Sequence, residues 1–230
     1  MVQAKKKHRS NPGWIRRHVT DPFVKRSVQE GYRSRAAYKL TEIADTDRLL
    51  KPGMVVVDLG AAPGSWSQVV QRRFTAPDGS VRGRIVALDI LPMEPIAGVD
   101  VIEGDFREEA VEQRLAELLD GAAVDVVLSD MAPNLSGIAA ADAARSLHLA
   151  ELAADFAVRY LKPDGVFLVK VFQGSGTSQF VERLKRDFLK VAVRKPAASR
   201  DTSAETFLLA RSPRPAAAVR LAAAGERPHE

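Results

Sequence analysis

Val55-Val56-Val57-Asp58-Leu59-Gly60-Ala61-Ala62-Pro63-Gly64-Ser65-Trp66 is the stretch on which the fold of this 230-residue chain turns. A β-branched run of this kind fits a strand buried on both faces, as in a parallel sheet. The run ends in an acid, and Gly60 and Gly64 then let the backbone turn sharply beside a ligand. Ser65 is expected to cap the helix that follows. Residues 54–59 therefore read as a strand and 65–74 as a helix, the arrangement that delivers a chain to a nucleotide-like ligand.

Outward from that unit the pattern repeats. Residues 34–45 have apolar residues at helical spacing after Ser34, and Lys51-Pro52-Gly53 makes a turn into the first strand. Strands are predicted over 84–89, ending in Asp89, over 99–103, followed by Gly104 and Asp105, and over 124–129, ending at Asp130. Helices are predicted over 108–119 and over 142–160, the latter closed by Lys162-Pro163-Asp164-Gly165. A fifth strand over 166–171, a helix over 177–188 and strands over 190–194 and 206–210 complete the set. This alternation argues for an α/β, Rossmann-like, mostly parallel doubly wound sheet of seven strands with flanking helices. Residues 40–210 read as the catalytic domain. Residues 211–230, rich in Ala, Pro and Arg without periodicity, read as a disordered tail.

Composition narrows the chemistry. There is no cysteine, so disulfides, thiolate metal sites and a cysteine nucleophile are excluded. No apolar run reaches membrane-spanning length, and no apolar stretch follows the basic N-terminus as in a signal peptide. A cytoplasmic, monomeric protein without membrane or metal partners is expected. The net charge of +5 hides an asymmetry: residues 1–39 hold eleven Lys and Arg against Asp21 and Glu30, a net +9, so the remainder carries −4. Within 14–39 the basic residues alternate with Trp14, Phe23, Tyr32 and Tyr38, which fits a segment that folds onto the domain and faces a polyanion.

The glycine spacing selects the ligand. A dinucleotide fold wants G-x-G-x-x-G around a pyrophosphate, whereas here the spacing differs and Pro63 removes an amide. S-adenosylmethionine, which has no phosphates, fits better. Backbone around Gly60 to Gly64 would meet its methionine part, Asp89 its ribose hydroxyls and Asp105 its adenine amino group. An acid at one strand end serves equally well as a helix cap. The ordered set Asp58, Asp89, Asp105 and Asp130 at four carboxyl ends carries more weight.

The reaction follows by elimination. Asp130-Met131-Ala132-Pro133 lacks the Pro-Pro-aromatic run that grips a flat base, and pyrimidine carbon-5 methylation needs an absent cysteine. A hydroxyl acceptor remains, and it needs a base. Lys170, in the otherwise apolar 166–172 run, is the unusual residue. Acting as a base it needs a cationic neighbour, for which Lys39 is a candidate. The alternative is a strand-end lysine that snorkels and pairs with Asp130 for structure alone.

At this point the motifs coincide with a known family. Arg33-Ser34-Arg35-Ala36 through Lys39-Leu40, Val57 to Gly64, Leu91-Pro92-Met93, Gly104-Asp105-Phe106-Arg107, Ser129 to Asn134 and Val169 to Gly174 together resemble the FtsJ/RrmJ (RlmE) family. These are bacterial heat-shock methyltransferases that place a 2′-O-methyl group on a uridine of large-subunit (23S) ribosomal RNA. The likeness runs over about residues 12–210, in the same order. It implies a class I S-adenosylmethionine-dependent fold and a catalytic tetrad at Lys39, Asp130, Lys170 and Glu205, with Lys170 as proton acceptor. It also implies cofactor contacts at Gly64, Trp66, Asp89, Asp105 and Asp130, and the 23S rRNA of the large ribosomal subunit as partner. Three departures are visible: Ser65 in place of a glycine, a longer 74–83 stretch, and Phe207 in place of a tyrosine near Glu205. The competing reading is a non-catalytic RNA-binding or ribosome-assembly protein that has kept the cofactor fold.

Overall fold

The apolar runs of the sequence form the strands β1 (Val55–Leu59), β2 (Arg84–Asp89), β3 (Asp100–Glu103), β4 (Val124–Ser129), β5 (Leu161–Phe172), β6 (Phe188–Arg194) and β7 (Glu205–Pro213). The computed structural model describes residues 20–133, 136–200 and 203–225. The strands make one sheet in the order β3-β2-β1-β4-β5-β7-β6. β1 pairs in parallel with β2 on one side and β4 on the other, and β7 alone runs antiparallel to its neighbours. The chain therefore leaves β1 toward one edge and returns through β4 toward the other. The crevice for a ligand opens where these directions diverge, at the carboxyl ends.

Strand period divides the residues of the sheet between two apolar layers. Val57 and Leu59 pack with α4 (Glu109–Leu119), α5 (Ala139–Tyr160) and α6 (Thr177–Asp187). Val56 packs on the other face with α2 (Ala36–Asp47) and α3 (Ser65–Phe74). In α2 the buried Ala37, Leu40, Ile43 and Ala44 recur at helical spacing, which fixes that helix on the sheet and with it the position of Lys39.

Four differences from the sequence reading have physical causes. A helix not foreseen, α1 (Pro22–Gln29), opens the described chain. Asp21 caps it by accepting from the Phe23 amide at 3.0 Å, Pro22 is preset for its first turn, and Phe23 packs on Tyr38 with ring centroids 5.6 Å apart. Ser65 is not a cap. The cap position of α3 is Gly64, at φ 105°, and the Ser65 hydroxyl instead meets that of Ser34 at 2.7 Å. The 162–165 turn lies inside β5, where the β4 register slips between the Val124–Leu161 and Val126–Val166 pairs.

The fourth correction concerns the tail expected to be disordered from residue 211. β7 continues to Pro213 because Val166 and Lys190, on strands either side of it, both pair with Arg211. α7 (Pro215–Gly225) follows, rich in the best helix former, with Ala217 buried in the layer of α5 and α6 and Arg220 bonded to Asp187 at 2.7 Å. Residues 226–230, like 1–19, lie outside the described residues. The 74–83 stretch closes with a Thr75–Val81 bridge before β2 starts, at the sheet edge opposite the crevice.

Candidate active site

The loop between β1 and α3 is shaped by close approach. Gly60 has φ 70°, and a Cβ there would lie 2.2 Å from Cγ of Met131, the second residue beyond β4. At Gly64 a Cβ would lie 2.7 Å from the Arg33 guanidinium and 2.8 Å from the Met93 sulfur. Only glycine meets both the left-handed backbone and the absence of space. Asp89, at the end of β2, accepts from the Ala62 amide at 2.9 Å and the Leu91 amide at 2.8 Å. One carboxylate thus braces the loops after β1 and β2 and keeps further lone pairs for a ligand. The Arg107 guanidinium grips both oxygens of Asp105 and, against partial burial, holds that carboxyl below the ordinary range. Asp105 is therefore ionised at the exit of β3, beside Gly104, whose amide bonds to the Asp89 carbonyl at 2.8 Å.

One acid and one ring of this set lie where the sequence did not show. Asp58 is 1% exposed beneath the loop and accepts from the Ser67 hydroxyl of α3 at 2.7 Å. Burial, opposed by the Ser67 hydrogen bonds and reinforced by Asp130 and Asp89, pushes its carboxyl up to about 7. The Trp66 side chain is also buried, its indole N–H bonded to the Ala36 carbonyl at 2.9 Å and its ring 5.8 Å from that of Phe207. It anchors α2 in the core, and what Trp66 offers a ligand is its amide in the first turn of α3.

On the acceptor side the four residues of the expected tetrad fall into two pairs. Lys170 is 7% exposed on β5; its ammonium donates to the main-chain carbonyl of Asp130 at 2.6 Å, with Asp130 Oδ1 3.0 Å away. Oδ1 is buried and has no hydrogen bond of its own, and neither has the neighbouring Ser129 hydroxyl. Lys39 of α2 meets Glu205 of β7 at 2.6 Å, both largely buried. Burial alone would raise the Glu205 carboxyl. The Lys39 charge and hydrogen bond, with the Lys170 charge beyond, outweigh it and hold the acid below its usual range. Strand register joins the pairs: Lys170 stands opposite Phe207, over whose ring Lys39 Nζ sits at 5.8 Å, and Glu205 stands opposite Phe172. The cationic neighbour that the sequence assigned to Lys170 is thus bound first to Glu205.

The basic segment is less available than its charge suggests. Of five basic side chains over 20–39, Arg26 pairs with Glu30, Arg35 with Asp21 and Lys39 with Glu205, and Arg33 donates to three main-chain carbonyls. Lys25 alone has no such partner among the described residues. Sequence reasoning missed this role of Arg33, because a bond to a carbonyl oxygen leaves no oppositely charged residue to find. Among the described residues no group of His, Cys, Asp or Glu is placed to hold a metal ion, and no helix is long and apolar enough to cross a membrane.

A glycine turn after β1 and acids after β2 and β3 lie next to the Lys170 side chain held at the end of β4. The sequence profile of FtsJ-like methyltransferases matches residues 32–212, a span that contains all of these groups. The chain belongs to the FtsJ-like methyltransferase family. It is 59% identical over 208 residues to the ribosomal RNA large subunit methyltransferase E of Bordetella petrii, covering 90% of this chain and 98% of that one. To the protein of the same name from Burkholderia mallei it is 58% identical over 212 residues, covering 89% and 96%. A crystal structure assigned as a ribosomal RNA methyltransferase, from Plasmodium falciparum, superposes with a TM-score of 0.70 at 31% identity, over 79% of this chain and 98% of that one.

The cofactor of an FtsJ-like methyltransferase is S-adenosylmethionine, and the residues present fit it. Asp89, at the end of β2, retains acceptors for a ribose diol. The orphaned Asp130 Oδ1 and Ser129 hydroxyl supply partners for the polar groups that a bound donor brings.

Proposed function

We propose that this protein methylates the ribose 2′-hydroxyl of a uridine in 23S ribosomal RNA, on the assembled large subunit, with Lys170 as the proton acceptor. The large-subunit rRNA assignment of its relatives at 58–59% identity supports the substrate class. The observation that carries the chemistry is Lys170, buried at the carboxyl end of β5, bonded to the Asp130 carbonyl beside the Lys39–Glu205 pair.

Bound S-adenosylmethionine supplies an electrophilic methyl group on a sulfonium sulfur. To act as base, Lys170 must first give up a proton of its own. As the ribose oxygen forms its bond to the methyl carbon and the carbon–sulfur bond breaks, the hydroxyl proton passes to Lys170 Nζ. The resulting ammonium is held by the Asp130 carbonyl and carboxylate, which stabilise charge that develops only as the reaction proceeds. Lys39 and Glu205 hold each other, and that rigid pair orients the ribose for in-line attack. The positive charge of residues 1–19, with six Lys and Arg and no acid, engages RNA phosphates without reading sequence. Choice of nucleotide then rests on the shape of the particle.

The test is to incubate the protein with methyl-labelled S-adenosylmethionine and either unmethylated large subunits or naked 23S rRNA, and then digest to nucleosides. Label in 2′-O-methyluridine from the subunit reaction is expected. Label on a base, or transfer to naked rRNA alone, would overturn the corresponding part of the proposal.

A further inference from the structure

Arg33 precedes α2 in a segment whose charge suggests RNA, yet its guanidinium points into the cofactor side of the molecule. Nη1 donates to the Pro63 carbonyl at 2.8 Å and to the Glu94 carbonyl at 2.7 Å, and Nη2 donates to the Pro95 carbonyl at 3.0 Å. Pro63 belongs to the loop after β1 and Glu94 and Pro95 to the loop after β2, so one side chain joins the two loops. Its own amide donates to the Gln68 side chain of α3 at 2.8 Å, which fixes where the arginine starts.

These loops cannot easily hold each other. Pro63, Pro92 and Pro95 have no N–H, so much of what each offers at this point is carbonyl oxygen. Two acceptor-rich strands of backbone need a donor between them. Asp89 does the converse task from the other side, accepting an amide from each of the same loops. The loops are thus clamped twice, by an acceptor at the end of β2 and by a donor from before α2. Gly64 lies in the gap through which the arginine passes, since a Cβ there would meet Nη1 at 2.7 Å.

We propose that Arg33 is a positioning residue for the methyl donor: it sets the spacing of the two loops that flank S-adenosylmethionine, and it is not an RNA contact. The planar fork is essential to this role, because one rigid group reaches three carbonyls in two loops, which a single ammonium on a flexible stem does not reproduce. Charge and geometry therefore separate in the variants. Arg33→Lys keeps the charge and loses the fork.

The experiment measures S-adenosylhomocysteine affinity by titration calorimetry and rRNA affinity by filter binding, for wild type, Arg33→Ala and Arg33→Lys. Both variants are expected to bind S-adenosylhomocysteine about tenfold more weakly or worse, since at least one charge-assisted bond is lost in each. Their rRNA affinity is expected to stay within about twofold of wild type, as for a residue without phosphate contacts. In turnover the loss falls on KM for the donor and not on KM for RNA. Should Arg33→Ala fail to fold, Arg33→Lys decides alone. Wild-type S-adenosylhomocysteine affinity in Arg33→Lys, or a fall in rRNA affinity of Arg33→Ala that lysine restores, would overturn the proposal.

Discussion

Lys170 donates to the main-chain carbonyl of Asp130 at 2.6 Å, while Asp130 Oδ1, 3.0 Å from the same nitrogen, lies outside hydrogen-bond geometry. In a pair built for structure alone the carboxylate would be the principal acceptor. Here the amine is anchored to the backbone at the end of β4, and the carboxylate keeps a buried oxygen for another donor. That division leaves a buried Asp130 oxygen with capacity to spare, which supports the proposed working role of the lysine over a purely structural pair.

Lys170→Ala removes the proposed proton acceptor and is expected to leave the cofactor loop intact. Methyl transfer is expected to fall by about 10²–10⁴-fold, the usual worth of a general base. S-adenosylhomocysteine binding should persist. Single-turnover rates and calorimetry check the two halves, and a variant with wild-type turnover would remove Lys170 from the mechanism.

Glu205→Ala strands Lys39 in a site where its side chain is 12% exposed. Loss of one member of a buried ion pair costs roughly 3 kcal/mol. Thermal unfolding should show that loss, and the double variant Lys39→Met with Glu205→Ala should recover part of it, because the buried charge is then gone. Strictly additive effects would mean that the pair is not coupled.

Asp58 makes stability depend on pH in an uncommon direction. Its carboxyl titrates at about 7 in the fold against an ordinary 3.8, so the native state binds that proton more tightly than the unfolded chain. Its contribution is full at low pH and is lost as pH rises through the window from 3.8 to about 7. Asp58→Asn keeps an acceptor for Ser67 and removes the titration. The melting temperature of the variant minus that of wild type should grow more positive between about pH 5 and about pH 8. A difference that stays flat would show that Asp58 does not titrate there.

Removal of residues 1–19 takes away six basic residues and leaves α1, Arg33 and the tetrad in place. RNA affinity should fall at low salt, with the gap to wild type narrowing as salt rises, because fewer counterions are released on binding. Parallel salt slopes for the two proteins would place the phosphate contacts elsewhere.

The sequence showed what repeats locally and missed what is held from a distance. Apolar runs marked every strand, and the acids at the ends of β1 to β4 marked the crevice, because both signals lie within a few residues. Lys39 and Glu205 are far apart in the chain, and only their likeness to a family brought them together. Arg33 was counted with the basic segment because its partners are carbonyls of residues 30 to 62 positions away. The family likeness implied Trp66 as a cofactor contact, and no local signal showed that its indole N–H is bonded to the Ala36 carbonyl of α2. α7 escaped notice because an Ala-rich stretch has strong helix propensity and little periodicity, and its docking on Asp187 is a tertiary event.

Ribose methylation with Lys170 as proton acceptor is tested most directly by a map of alkali-resistant linkages in 23S rRNA. The rRNA comes from cells lacking this protein and from the same cells complemented with wild type or Lys170→Ala. A 2′-O-methyl group blocks cleavage at its own linkage. One uridine linkage should be resistant with wild type and cleaved both in the deletion and with Lys170→Ala. Resistance that survives the deletion, or is restored by Lys170→Ala, would contradict the account.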